Sequence, residues 1–548
     1  MQRIGRVWTG AAMLLASLVV TGTASPPTAL AADEFAPLEA PQRIVDTRST
    51  GETVDGLGEA TGAVTGGQRL EVQVAGRAGV AADASAVVLN VTVVAPAGPG
   101  FITVFPCDQP QPNGSNINYS AQQVIANAVF ARLDANGRTC VFTSATSQLI
   151  VDVTGTLPGQ SFAALDAPAR LLDTRPTGQV LDDDQRFENT GRVSGGSTFR
   201  LDVAGRSGVA ADATTAVLNV AAVQPGGPGF VTVHPCDQDL PLASNLNFAA
   251  QRNIANTVVT RLDGDGRVCL FTSATTDLIV DVTGTLASTA FVALDAPARL
   301  HDSRSNGATI DGVAEQTLAR RPGTTLELPV AGRAGLPADA SAVVLNVVSV
   351  QSRRNGFVTV HPRNSDRPNA SNLNHAAGEI IANSVVAKVG GNGEICFFNS
   401  SYTELVIDVS GYFVGPAPAD TGDGCPMEFP PFSEPGLDRA ANAHVVGEFQ
   451  MPPGRYETAG VRPEGFGTCD VFKWEFFGDF FSTDTGQRGR FVSFQNARVV
   501  FDVVAGTNFV ETSGSCGPIA PYVAGTTGPV DLSDAGGVHV VGDHIQPG

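Results

Sequence analysis

Lysine is almost absent from this chain: Lys388 and Lys473 are the two in 548 residues. Charged residues make up 16% and aromatic residues 7%, with two Trp and five Tyr. Formal net charge is −20. A chain without a basic face is a poor nucleic-acid binder, because phosphates need cations opposite them. The acidity suits solubility or loose association with divalent cations. Long helix-type charge patterns are missing, while Gly (61) and Pro (35) are plentiful, the profile of a turn-rich all-β chain. Catalytic constellations are missing too. No nucleophile recurs beside a general base and no close His/Cys set suggests a metal, so the chain reads as no enzyme, with no cofactor, catalytic residue or metal ligand to assign.

What is present is repetition. Arg43-Ile-Val-Asp46-Thr-Arg48 returns as Arg170-Leu-Leu-Asp173-Thr-Arg175 and as Arg299-Leu-His-Asp302-Ser-Arg304. Each unit carries about eight strand-like runs separated by turn signals such as Asn136-Gly137, Asp265-Gly266 and Asn392-Gly393. The expected fold is all-β: three tandem β-sandwich or small-barrel domains plus a smaller C-terminal β domain. The expected bounds are 38–157, 163–286 and 291–414 for the repeats, 415–435 for a linker and 436–548 for the last domain. Units of this size can bury their own cores, so they read as three separable beads on a semi-rigid rod.

The first 31 residues read as a secretory signal peptide. Arg3 and Arg6 form a positive start, Ala11 to Val20 an apolar stretch, and Ala29-Leu30-Ala31 a cleavage site. The apolar run is too short for a firm transmembrane assignment, so no membrane span is expected after cleavage. Cysteine usage agrees with export. Cys107 and Cys140 share their spacing with Cys236 and Cys269, at matching repeat positions, which points to two disulfides rather than to zinc. In the third unit Cys396 is kept but Arg363 stands at the partner position. Cys396 and Cys425 are left over, and a bond between them across the linker stays open.

Two constellations invite a functional reading. Asp46 and Arg48, with Asp152 late in the unit, recur as Asp173, Arg175 and Asp281, then Asp302, Arg304 and Asp408. Three copies without a nucleophile favour a structural clamp joining the first and last strands, with Arg175 expected to be largely buried against Asp173 and Asp281. The second set is asparagine: Asn90, Asn116, Asn118 and Asn127 with their counterparts. They could satisfy backbone groups where a sheet turns, or line a polar groove for sugar hydroxyls. His234 and His361 share a position with Phe105 and read as packing residues. Asp263-Gly-Asp265-Gly266 resembles a calcium loop but lacks the closing acidic ligand, so a hairpin turn is the better reading.

Together with Val-Ala-Gly-Arg, Leu-Asn-Val, Gly-Pro-Gly-Phe, Ser-Asn-x-Asn, Ile-Ala-Asn and the closing Asp408-Val-Ser-Gly-Tyr412-Phe413, these motifs resemble a β repeat of exported actinobacterial proteins, over roughly residues 38 to 414. Residues 436–548 are similar to a small Cys/Trp β domain near the C-termini of such proteins. That resemblance implies a third disulfide, Cys469–Cys516. Trp474, Phe476 and Tyr456 form a candidate ligand platform there, or simply that domain's core. The expected function is a non-catalytic exported surface or extracellular protein whose tandem domains present a C-terminal interaction module. The alternative is a carbohydrate- or cell-wall-binding protein. Partners would be a cell-wall glycan or another surface protein.

Overall fold

The structure is a computed structural model and describes residues 34–415 except 183, 184 and 318, then Gly424 and Cys425, and the backbone of eight strands between Asn442 and Asp531. The signal segment 1–31 and nearly all of the linker lie outside the described residues. Among the described residues no helix is long and apolar enough to cross a membrane.

The first repeat sets the pattern with eight strands: β1 (Ala36–Asp46), β2 (Gln68–Gln73), β3 (Ala86–Val94), β4 (Gly100–Pro106), β5 (Ile117–Tyr119), β6 (Ile125–Arg132), β7 (Arg138–Thr143) and β8 (Gln148–Leu157). They form two antiparallel four-stranded sheets, ordered β1-β8-β3-β6 and β2-β7-β4-β5. Repeats two and three do the same. Burial follows the strand order. β3, Ala-Val-Val-Leu-Asn-Val-Thr-Val-Val, is buried on both faces except at its last residue, as an inner strand covered on both sides must be. β2, Gln-Arg-Leu-Glu-Val-Gln, is exposed at four of its six positions, the charged edge that discourages pairing with another chain.

The all-β class is as expected, but the tandem-sandwich arrangement is not. The six sheets are the blades of a six-bladed β-propeller, two blades per repeat. The last strands of the sheet orders, β6 and β5 with their counterparts, make the centre. β6 packs against its counterparts Ile254–Arg261 and Ile381–Lys388, and those two pack against each other. β5 packs on Ile254–Arg261, Leu246–Phe248 on Ile381–Lys388, and Leu373–His375 on β6, which closes the circle. The beads are therefore neither a rod nor separate. Between the two blades of the first repeat lies a core of Val87, Leu89, Val91, Ile102, Val104 and Val141. A further core belongs to all three repeats and joins Phe35, Phe130, Phe162, Val217, Val259, Phe291, Val386 and Phe413. The sequence reading missed it because these residues sit on strand faces that a lone sandwich would turn to solvent.

The turns behave as read. Gly137, Gly266 and Gly393 have φ of 73°, 76° and 74°, and a Cβ on Gly137 would lie 2.3 Å from that of Ala75. Beyond the ring, eight strands form two more four-stranded sheets, with Trp474 and Phe476 on Thr468–Phe476 and Tyr456 on Gly454–Thr458. Those two strands belong to different sheets. Their side chains, and the Cys469–Cys516 pairing, lie outside the described residues.

Candidate functional site

Most of the recurring polar residues lie in one sheet of each repeat, in the first with Arg43 and Asp46 on β1, Asp152 on β8, Asn90 on β3 and Asn127 on β6. In β1, Arg43 stands in register opposite Asp152 of β8. Its Nε donates to Asp152 Oδ1 at 2.8 Å and its Nη1 to Asp46 Oδ2 at 3.2 Å. Arg48 lies just past the strand end, so its side chain folds back: Nε and Nη2 reach the two oxygens of Asp46 at 2.8 and 2.6 Å. The pattern repeats with Arg170, Asp173, Arg175 and Asp281, and with Arg299, Asp302, Arg304 and Asp408.

The clamp between first and last strands is thus present, but its arginine is a different one. Arg170, with a side chain 5% exposed, holds Asp281; Arg175 is 37% exposed and grips Asp173. The register explains the correction, since position 170 faces Asp281 while position 175 has left the sheet. Burial raises the pKa of Asp152, Asp281 and Asp408 against the pull of their arginines. At Asp46 and Asp302 burial also opposes the charge, but the neighbouring Arg48 and Arg304 outweigh it and hold these carboxyls below their ordinary value.

The Val-Ala-Gly-Arg motif acquires a role that its sequence did not disclose. Arg77 donates through Nε and Nη2 to Asp55 at 2.8 Å each, and through Nη2 to the Ile44 carbonyl at 3.0 Å. Arg206 with Asp182 and Arg333 with Asp311 repeat the arrangement. These hydrogen bonds hold Asp55 and Asp311 at a pKa of about 2. Each arginine pins the long loop that joins the two outermost strands of its repeat.

The asparagines close the ring. Asn127 Oδ1 accepts the Thr257 N–H at 3.3 Å, Asn256 Oδ1 that of Ser384 at 3.0 Å, and Asn383 Oδ1 that of Ala128 at 3.2 Å. First repeat holds second, second holds third, and third holds first. The amide nitrogens of Asn127 and Asn256 donate inward to the carbonyls of Asn116 and Asn245, and that of Asn383 to Asn372. Asn90, Asn219 and Asn346 donate across the same junctions to the Ser371, Ser115 and Ser244 carbonyls. Asn116, Asn245 and Asn372 turn their oxygens to the N–H of Val104, Val233 and Val360. All of these residues are buried, so they line no open groove for sugar hydroxyls. Asn118, Asn247 and Asn374 lie on the short strands beside Phe101, Phe230 and Phe357.

Ion pairs add a third layer at each junction. Arg132 approaches Asp166 and Arg261 approaches Asp295 at 3.6 Å, and Lys388 reaches Glu39 at 2.7 Å. Their acids are about nine-tenths exposed, so each pair contributes about 1 kcal/mol at most.

Two disulfides match the spacing argument, Cys107–Cys140 and Cys236–Cys269, and Cys396 is bonded to Cys425. His234 and His361 are buried, with Nδ1 near the Pro235 and Pro362 carbonyls at 2.9 and 3.1 Å, in keeping with packing positions. Asp263 Oδ1 accepts the N–H groups of Asp265 and Arg267 at 2.9 Å, which makes that loop a hairpin turn. Sequence reasoning missed His301 and His375. Both are buried, and burial pushes each down to a pKa of about 4. The signal was available: His301 stands where the other repeats have Val45 and Leu172, and His375 where they have Tyr119 and Phe248.

A cavity of about 10 Å³ at the second junction is lined by Asn245, Asn346, Ser384 and Asp408, room for about one water molecule. Among the described residues no group of three or more His, Cys, Asp or Glu could hold a metal ion.

Comparison with known proteins adds no family. No family description matches the chain, and no curated protein matches it. Among solved structures, one titled "Life in the extremes: atomic structure of Sulfolobus Turreted Icosahedral Virus" is 8% identical and covers 65% of this chain and 85% of its own, with a TM-score of 0.15. A similarity that low carries no inference about fold or role.

Proposed function

We propose that the chain is a non-catalytic exported protein, a disulfide-bonded ring of three repeats that displays its rim loops and its C-terminal region to a partner at the cell surface. One observation carries this reading. The arginine–aspartate clamps and the buried asparagines that recur in all three repeats are bonded to one another or to backbone groups, within a repeat or across junctions, and so are committed to holding the ring. An enzyme would have to keep some of them converging on an open pocket. The disulfides and the signal-like start agree with an oxidising destination.

Cross-linking of the purified chain on intact cells, compared with its retention on purified peptidoglycan, tests the proposal. Capture of a discrete surface protein without glycan retention supports it. Saturable retention on peptidoglycan, lost in Trp474→Ala, replaces it with a cell-wall-binding role. Release of new reducing ends from the glycan would make the protein an enzyme and end both readings.

A further inference from the structure

Two repeats close their last-but-one strand onto their own loop, Cys140 to Cys107 and Cys269 to Cys236. The third does not. Arg363 stands where the partner thiol would be, in an ion pair with Glu394 at 3.2 Å. Cys396 keeps its strand position, in register with Glu327 on one side and His361 on the other, and its partner comes from beyond the ring.

The path of the chain gives that partner a purpose. The last ring strand ends at Phe413, and the Val414 N–H donates to the Ala290 carbonyl at 3.1 Å. Ten residues further on, the chain meets Thr324–Pro329, the outer strand of the third repeat's sheet that also holds Cys396, here the sixth blade. There the Cys425 N–H donates to Glu327 Oε1, Cys425 is only 7% exposed, and a Cβ on Gly424 would lie 2.7 Å from the same carboxylate oxygen. The contact is covalent, hydrogen-bonded and close-packed at once. Its counterpart in the first repeat, Glu71, instead pairs with Arg69 and Arg138 on the open surface.

We propose that Cys396–Cys425 is an exit anchor: it seats residues 424 and 425 on the rim of the sixth blade and fixes where the chain departs for its C-terminal region. The anchor rests on the reading that this region is the displayed part. It does a different job from the other two bonds. The loops closed are of similar length, 33 and 29 residues, so each bond restricts the unfolded chain to a similar degree. Severing Cys107–Cys140 loosens a strand–loop contact inside a blade. Severing Cys396–Cys425 also returns conformational freedom to the folded protein, because residues 415–425 are no longer held at both ends, and that gain offsets part of the loss.

The test uses the full chain with Cys396→Ser/Cys425→Ser, and Cys107→Ser/Cys140→Ser as reference. Melting temperature, radius of gyration and the rate of limited proteolysis within 415–435 are measured. The anchor variant should lose less melting temperature than the reference, expand in radius of gyration, and be cut in that segment at least about tenfold faster, since an opened segment is the one a protease finds. Mild reduction of the wild type at native pH should reproduce the faster cleavage without unfolding the ring, which keeps the test decisive if a serine variant expresses poorly. A melting loss equal to the reference, with unchanged radius and cleavage, would overturn the proposal and make the bond a blade staple. Failure of the wild type to bind any surface partner would remove the display reading alone, since radius and cleavage judge the anchor by themselves.

Discussion

Phe35 and Phe413, at the two ends of the repeat array, face each other with ring centroids 4.3 Å apart. Phe130 meets Phe162 at 5.8 Å across the first junction. The ends of the array therefore meet through a contact of the same kind that joins neighbouring repeats, without a shared strand. Aromatic pairs of this type add about 0.5–1.5 kcal/mol beyond the area they bury. The third-to-first junction has no covalent link, so it depends on non-covalent contacts: Phe35 with Phe413, the packing of β6 on Ile381–Lys388 and Leu373–His375, the asparagine network and Lys388 with Glu39.

Asn383→Ala should therefore open the ring at that junction first. It removes the acceptor for the Ala128 N–H and the donor to the Asn372 carbonyl, and each buried group left without a partner costs about 1–3 kcal/mol. Amide hydrogen exchange read by mass spectrometry should show faster exchange across β6 in this variant. In Asn127→Ala, which frees the Thr257 N–H at a junction also held by the chain, the increase across Ile254–Arg261 should be smaller. Equal rates in both variants would mean that ring closure is not the weak point.

The buried arginine of the first strand should matter more than the exposed one two residues past the aspartate. Arg170→Ala leaves Asp281 buried without its cation, and removing one partner of such a pair costs about 3–5 kcal/mol. Arg175→Ala exposes only one side of Asp173, which keeps Arg170, and should cost about 1–2 kcal/mol. Denaturant midpoints of the two variants check the order, and the reverse order would contradict the register that puts Arg170 opposite Asp281.

An isolated repeat should not behave as a self-sufficient domain. Residues 160–288 alone would expose Phe162, Val217, Val259 and Leu286, which in the ring bury themselves against the other repeats. Sedimentation and circular dichroism of that fragment should show self-association or a much reduced melting temperature. A monomer as stable as the full ring would restore the bead description.

The repeat, its strand content and its turn glycines were legible because each rests on local chemistry: period-2 patterning, Asn-Gly dipeptides and matched cysteine spacing. The ring was not. Val88, Val217 and Val344 look like ordinary core residues of a sandwich, and nothing in their own repeat says that they face another one. The aspartates of the clamp are legible because they recur, but recurrence alone does not separate Arg43, Arg170 and Arg299 from the nearer Arg48, Arg175 and Arg304. Adjacency in sequence suggested the pair, and a bulge in each first strand put the more distant arginine opposite the late aspartate. The asparagines were legible as buried residues satisfying backbone groups, but which backbone they satisfy depends on a neighbouring repeat.

Acid should weaken the third repeat more than the other two. His301 and His375 belong to it, are buried, and titrate at about 4 instead of 6.5 because burial disfavours their charged form. At His301 the nearby charge of Arg320 adds to burial, with Arg333 a smaller contribution of the same sign, while Asp302 works the other way. Between pH 6.5 and about 4 the unfolded chain binds protons that the folded one does not, so stability falls as pH falls through that window and levels off below it. The shift corresponds to at most roughly 3 kcal/mol per histidine. The buried aspartates act in the opposite sense, since a raised carboxyl pKa favours the folded state on acidification, but they occur in all three repeats and cancel between wild type and variant. His301→Leu, which installs the residue of the second repeat, should flatten the decline in stability between pH 6.5 and 4 and leave stability at pH 8 nearly unchanged. His375→Phe should do the same. Denaturant melts at half-unit pH steps would show it, and a decline as steep in the double variant as in wild type would place the acid sensitivity elsewhere in the ring.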